Sequence, residues 1–169
     1  MYAGMTSMDA RLGDATRTVP LPNPWDLSAY LAAVAAHRGR SITLHTAPRA
    51  VLHEIGCGAG GLWVARTHDD IIVYDDEAIE RNVDHLVLHQ VGHMLLEHGE
   101  RQDRPDPLPP SLAVLLPTMS PRSIEHALGR GDFGEERERE AEVFADMTMV
   151  YATLPRRRAR SFRLFGRGR

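Results

Sequence analysis

Residues 83–99 read "VDHLVLHQVGHMLLEHG", and the centre of the run carries two histidines four apart, His89 and His93. On a helix that spacing places both imidazoles on one face, one turn apart. Two neutral ring nitrogens there supply half of a tetrahedral zinc site, at bond lengths of about 2.0–2.1 Å. Both rings sit in apolar sequence, where an unpartnered polar group is costly. A metal-dependent hydrolase built on this spacing uses a glutamate directly after the first histidine as general base. Here that residue is Gln90. An amide hydrogen-bonds water but accepts no proton at neutral pH. Its presence removes on the order of 10²–10⁴ in rate and leaves metal binding intact, since this position is not a ligand.

Gly92, between the two histidines, costs about 1 kcal/mol against alanine in a helix interior. Its presence points to another element passing close to the backbone. His85 lies four residues before His89, and His98 five after His93. The stripe from His85 to His93 spans about 12 Å along the axis, too far for one ion. His85 is therefore expected beside the site, towards substrate or at the surface. A second run, "HEIGC" at 53–57, resembles a damaged copy of the motif. It lies between Pro48 and the glycine-rich "GCGAGG" and reads as loop.

A catalytic zinc takes three protein ligands and leaves one position open. The strongly patterned acidic helix downstream, "EEREREAEVFAD", offers two candidates. Glu140 shares a face with Val143, Phe144 and Met147, which turns it inward. Glu138 shares a stripe with Ala141, Glu142 and Ala145, whose small side chains permit close helix approach. Periodicity leaves the two about even. The acids at the helix start, Glu135 and Glu136, also suit the positive end of the helix dipole.

The elements that position these residues follow from pattern. Residues 1–23 are small and polar and read as a mobile segment. "WDLSAYLAAVAAHRGR" carries Leu27, Tyr30, Leu31 and Val34 at helical spacing and stops at Gly39. "SITLHTA" alternates as a strand, and "GLWVAR" and "DIIVYDD" form an antiparallel pair. The long helix "DEAIERNVDHLVLHQVGHMLLEHG" follows. The proline-rich "RQDRPDPLPP" is loop, "SPRSIEHALGR" a short helix opened by Ser120 and Pro121, and "FGEEREREAEVFADMTMVYATL" the last helix. The class is α+β: an N-terminal helix, a small antiparallel or mixed sheet of about three strands, then a zincin-like helical part. "GLWVAR" is the expected edge strand, open to pair with an extended substrate.

The runs "HLVLHQVGHMLLEHG" and, after the proline-rich gap, "EREAEVFAD" resemble the ImmA/IrrE family of metallo-endopeptidases, small actinobacterial members above all. The likeness covers roughly residues 25–154, and the two short strands ahead of the histidine helix strengthen it. In that family the helix reads HExxH, and a later E-x-x-A-(D/N/E)-x-x-A run gives its first glutamate to zinc. That register implies Glu138 as third ligand beside His89 and His93, with Glu140 taking its place if the register is off. Glu142 becomes a partner for a ligand imidazole. The resemblance further implies Zn2+ as cofactor and a helix-turn-helix repressor or antitoxin, encoded nearby, as protein substrate. Tyr151 and His85 are candidates to steady the oxyanion. The departure at Gln90 removes the proton acceptor that the family's HExxH supplies for cleavage. Such an exchange arises by engineering, or in a natural pseudo-peptidase that binds its target and regulates it without cutting.

Composition bounds the rest. At 169 residues, 43% hydrophobic and 25% charged, the chain suits one soluble domain. It has no run of about 18 apolar residues, no signal-like start and a single cysteine, Cys57, so a cytoplasmic address is expected. Lysine is absent, and seven of the twenty arginines fall in residues 155–169. The remaining 154 residues hold thirteen basic side chains against 23 acidic ones. The expected organisation is a mobile segment 1–23, a metallopeptidase-like domain 24–154 and an arginine-rich tail 155–169. A nucleic-acid binder would carry basic residues across its fold, so direct nucleic-acid binding is not expected.

Overall fold

The computed structural model describes residues 7–55, 57, 61–101, 110, 124–129 and 134–154. The arginine-rich tail and most of the proline-rich loop lie outside them.

The chain is α+β. Helix α1 spans Ser7–Thr18 and α2 Leu27–Arg38; strand β1 (Ser41–Ala47) and the short α3 (Arg49–Glu54) follow. Strands β2 (Gly61–Arg66) and β3 (Asp69–Asp75) precede the histidine helix α4 (Glu80–Leu95) and a 3₁₀ turn at His98–Arg101. Strand β4 (Ile124–Gly129) and helix α5 (Glu135–Thr153) complete the described chain. Asp26 starts α2 by accepting the Ala29 N–H at 2.7 Å, and Gly39 ends it in the left-handed region, φ 67°.

The sheet has four strands in the order β1-β3-β2-β4. β1 runs parallel to β3, while β2 is antiparallel to both β3 and β4. Strand alternation divides the core. Trp63, Ala65 and Ile72 face a layer built from α1, α2, α4 and α5, packing with Val87, Leu88, Val91 and Phe144. Leu62, Val64, Ile71 and Val73 face the other way, onto Leu52 of α3 and Cys57. Asp70 falls on the helical side with no exposed surface. It is paired there with Arg38 (3.2 Å) and accepts the Trp63 indole N–H at 3.0 Å, so a buried charge is met by a cation and a hydrogen bond.

Four expectations are corrected. Residues 124–129, expected within a short helix, form β4, because the backbone of β2 offers a second ladder and pairing outweighs local helical spacing. β2 therefore has partners on both sides and is not an edge strand. Residues 7–18, expected to be mobile, form α1; Leu12, Ala15 and Val19 are buried, a thin stripe in an otherwise polar sequence. The "HEIGC" run is not all loop, since His53 and Glu54 end α3.

Candidate metal centre

α4 and α5 pack closely, and Gly92 is a point of tight contact between them. A Cβ on Gly92 would lie 3.2 Å from both Cα and O of Ala141 and 3.1 Å from Phe144 Cδ1. The glycine thus lets the backbone of α5 reach the helix wall between the two histidines, and the first turn of α5 brings Glu138 over them. His89 Nε2 and His93 Nε2 face each other at 3.1 Å. The Glu138 carboxylate stands 3.3 Å from the former and 3.7 Å from the latter. The three side chains form a group with the spacing to hold a metal ion. For tetrahedral bonds of about 2.0–2.1 Å, two ligand nitrogens sit about 3.3–3.4 Å apart, close to what is seen. His89 and His93 are buried, while Glu138 retains some exposure, so the group is reached from the Glu138 side.

Each imidazole is held by its other nitrogen. His89 Nδ1 lies 3.1 Å from Glu142 Oε2. A carboxylate only accepts, so Nδ1 carries the hydrogen and Nε2 keeps its lone pair for the centre. His93 Nδ1 lies 2.9 Å from His98 Nδ1, and His98 Nε2 lies 2.9 Å from Glu140 Oε2. Glu140 in turn is paired with Arg11 of α1 at 2.9 Å. Burial first, then the nearby His89, His98 and Arg137, lowers the His93 pKa from 6.5 to about 2. The ring is therefore neutral across the physiological range, the form that ligates. Burial likewise lowers His98, opposed in part by Glu140.

The two inward carboxylates of α5 thus have separate places. Glu138 meets the two histidines of α4, and Glu140 meets His98 and Arg11 instead. His85 stands outside the group, 3.1 Å from Asp146 and 3.6 Å from the other oxygen of Glu142. Tyr151 is exposed and thirteen residues beyond Glu138, about 20 Å along the axis, which removes it from the centre. His53 belongs to no metal-competent group among the described residues.

Gln90 is buried, and its side chain packs under the start of β2; a Cβ on Gly61 would lie 3.5 Å from its Cγ and Nε2. Its buried Oε1 has no hydrogen-bond partner among the described residues. An orphaned acceptor of this kind costs about 1–3 kcal/mol, which fits a position shaped to meet a further group. The donor set, two imidazoles and one carboxylate, is that of many catalytic zinc centres. A solvent-open cavity of about 630 Å³ lies beside His98, lined by Arg11, Leu96, His98 and Arg137 among others, but not by His89, His93 or Glu138.

The residue that sequence reading passed over is His98. Its signal was a histidine in an apolar "MLLEHG" just past the helix end, but nothing local named its partner. The chain matches no protein-family model, no curated protein and no solved structure. Among the described residues no helix is long and apolar enough to cross a membrane.

Proposed function

We propose that this chain is a zinc-binding protein of the metallo-endopeptidase type, with His89, His93 and Glu138 as ligands. One observation carries the reading: two imidazole nitrogens 3.1 Å apart with one carboxylate beside both. A lone pair on His89 Nε2, aimed at its neighbours rather than at water, calls for a cation among them. When bound, Zn2+ supplies Lewis acidity towards a carbonyl or a water. The chain's own residues do the rest. Glu142 holds the His89 ring, burial keeps His93 neutral, and Gln90 offers an amide where peptide hydrolysis needs a proton acceptor.

That amide is the specific reason to carry a second reading. With Gln90 the chain binds metal and target and cuts slowly or not at all, acting as a pseudo-peptidase on a transcription regulator. The resemblance to ImmA/IrrE peptidases rests on the motif residues and supports a helix-turn-helix repressor or antitoxin as the target. Two measurements test the proposal. Elemental analysis should find about one zinc per chain, lost in the His89→Ala, His93→Ala double variant; equal metal in both would sink it. Gln90→Glu should raise site-specific cleavage of the neighbouring regulator by about 10²–10⁴. Binding without cleavage in that variant favours the pseudo-peptidase.

A further inference from the structure

The metal-facing histidines do not end at the metal. From His93 a line of hydrogen bonds runs through His98 and Glu140 to Arg11, and every link but the last lies in the interior. His93 Nδ1 to His98 Nδ1 is 2.9 Å, His98 Nε2 to Glu140 Oε2 is 2.9 Å, and Arg11 Nη1 to Glu140 Oε1 is 2.9 Å. A second Arg11 nitrogen donates to the carbonyl of Leu96 at 3.2 Å, just past the end of α4. His93, His98 and Glu140 are almost wholly buried.

Donor and acceptor roles along this line are forced from one end. Arg11 Nη1 donates to both oxygens of Glu140, and a carboxylate only accepts. His98 Nε2 therefore carries the hydrogen, and in the neutral ring Nδ1 is an acceptor. His93 Nδ1 must then be the donor, which leaves the lone pair on His93 Nε2, the atom that faces His89 and Glu138. The reverse polarity would put a hydrogen on His93 Nε2 and block it as a ligand.

We propose that His98, Glu140 and Arg11 form a positioning relay that fixes the tautomer and the ring orientation of His93, making the N-terminal helix α1 a working part of the metal centre. The inference rests on the metal-site reading above. It goes beyond it by assigning a role to three residues that touch neither metal nor substrate, one of them more than 80 residues away in sequence.

The relay predicts a pattern that simple packing does not. His98→Ala should weaken Zn2+ affinity by about 10–100-fold, measured by chelator competition on the full chain. His98→Gln should recover most of the loss, because its carbonyl accepts from His93 while its NH₂ donates to Glu140. Glu140→Gln, although isosteric, should weaken Zn2+ binding, since an amide also permits the reversed polarity. Arg11→Ala should lower affinity less. Nitrogen-15 imidazole spectra of the metal-free parent protein should show His93 protonated at Nδ1. In metal-free Glu140→Gln, the Nε2-protonated form of His93 should become populated. The failures separate. If the parent protein binds no Zn2+, the functional reading fails, while the spectra still report the relay. If the parent binds Zn2+ but His98→Ala binds it equally well, or if His93 is protonated at Nε2 in the metal-free parent, the relay is wrong. Should His98→Ala fail to fold, the His98→Gln and Glu140→Gln pair and the parent spectra decide.

Discussion

The two histidines of the centre sit one turn apart on the same helix, yet they are supported in opposite ways. His93 is backed by an interior line of His98, Glu140 and Arg11 that ties α4 to α1 and α5. His89 is backed by Glu142, whose side chain is 39% exposed, and beyond it by His85 and the open Asp146. The inner arm is buried as far as Glu140, each group depending on the next, and meets water at the half-exposed Arg11; the outer arm borders water, which can replace any member. Hydrogen bonds only about 0.2 Å different in length, 2.9 Å against 3.1 Å, therefore carry unequal energetic weight. In low dielectric a lost partner leaves a charge or a donor stranded, whereas at the surface solvent fills the gap.

The largest test of this contrast is a pair of truncations. Glu140→Ala should destabilise the protein by about 1–3 kcal/mol, because the buried His98 Nε2 donor loses its acceptor, while the half-exposed Arg11 returns to water. Glu142→Ala should cost less than about 1 kcal/mol, as expected for exposed ion pairs. Urea denaturation of both, without metal, measures the difference. Equal losses would mean that the inner arm is wetter than its burial implies.

The same contrast has a pH signature. His93 is lowered from 6.5 to about 2 in the folded chain, mainly by burial. Below about pH 6.5 the unfolded chain takes up a proton that the native ring refuses, so stability is complete above that value and falls as pH drops towards 2. One such group gives a slope of about 1.4 kcal/mol per pH unit. Metal-free protein should show at least this slope between pH 6 and 4, since burial lowers His98 as well, and His93→Gln, if folded, should make the curve shallower by about one group's share. A parent curve that is level over this window would remove the buried neutral imidazole from the account.

How much of this was legible in the letters differs between the arms as well. The His89–His93 spacing, the nearness implied by Gly92 and the pairing of β2 with β3 follow from local pattern. The choice between Glu138 and Glu140 does not. Both turn inward on α5, and what separates them is which histidine each meets, a tertiary fact. His98 leaves the helix after Leu95 and reaches Glu140 only because Glu97 takes a positive φ of 57° and a 3₁₀ turn follows. α1 was hidden for a related reason: its stripe of Leu12 and Ala15, continued by Val19 just past the helix, is too thin to signal a helix until α5 covers it. β4 escaped because its reason to be a strand lies in β2, some sixty residues earlier.

Gly92 links both arms and gives a smaller effect. Alanine there gains up to about 1 kcal/mol in helix propensity. Its methyl group, however, meets the backbone of Ala141, which cannot turn aside as a side chain would. Overpacking of this kind costs about 1–3 kcal/mol, so a net loss near 1 kcal/mol is expected in thermal melts. A few tenths of an ångström of added helix separation should also carry Glu138 away from the histidines and lower Zn2+ affinity. A Gly92→Ala variant that is more stable and binds zinc unchanged would show that α5 tolerates the shift.

The smallest effect belongs to the rim. His85, Glu142 and Asp146 lie close enough to hold an ion by distance alone, yet Asp146 is 68% exposed and its bond to His85 lies in solvent. His85→Ala removes one exposed partner of Glu142 and leaves the Glu142 oxygen on His89 Nδ1 in place. Its stability cost should stay within about 0.5 kcal/mol and shrink further in salt, and the variant should take up Zn2+ as the parent does. If His85→Ala instead lowered zinc affinity as strongly as His98→Ala, solvent would not be substituting at the outer arm. Glu142 would then have to be held as rigidly as Glu140, and the division between a structural inner arm and a replaceable outer one would have to be redrawn around His85.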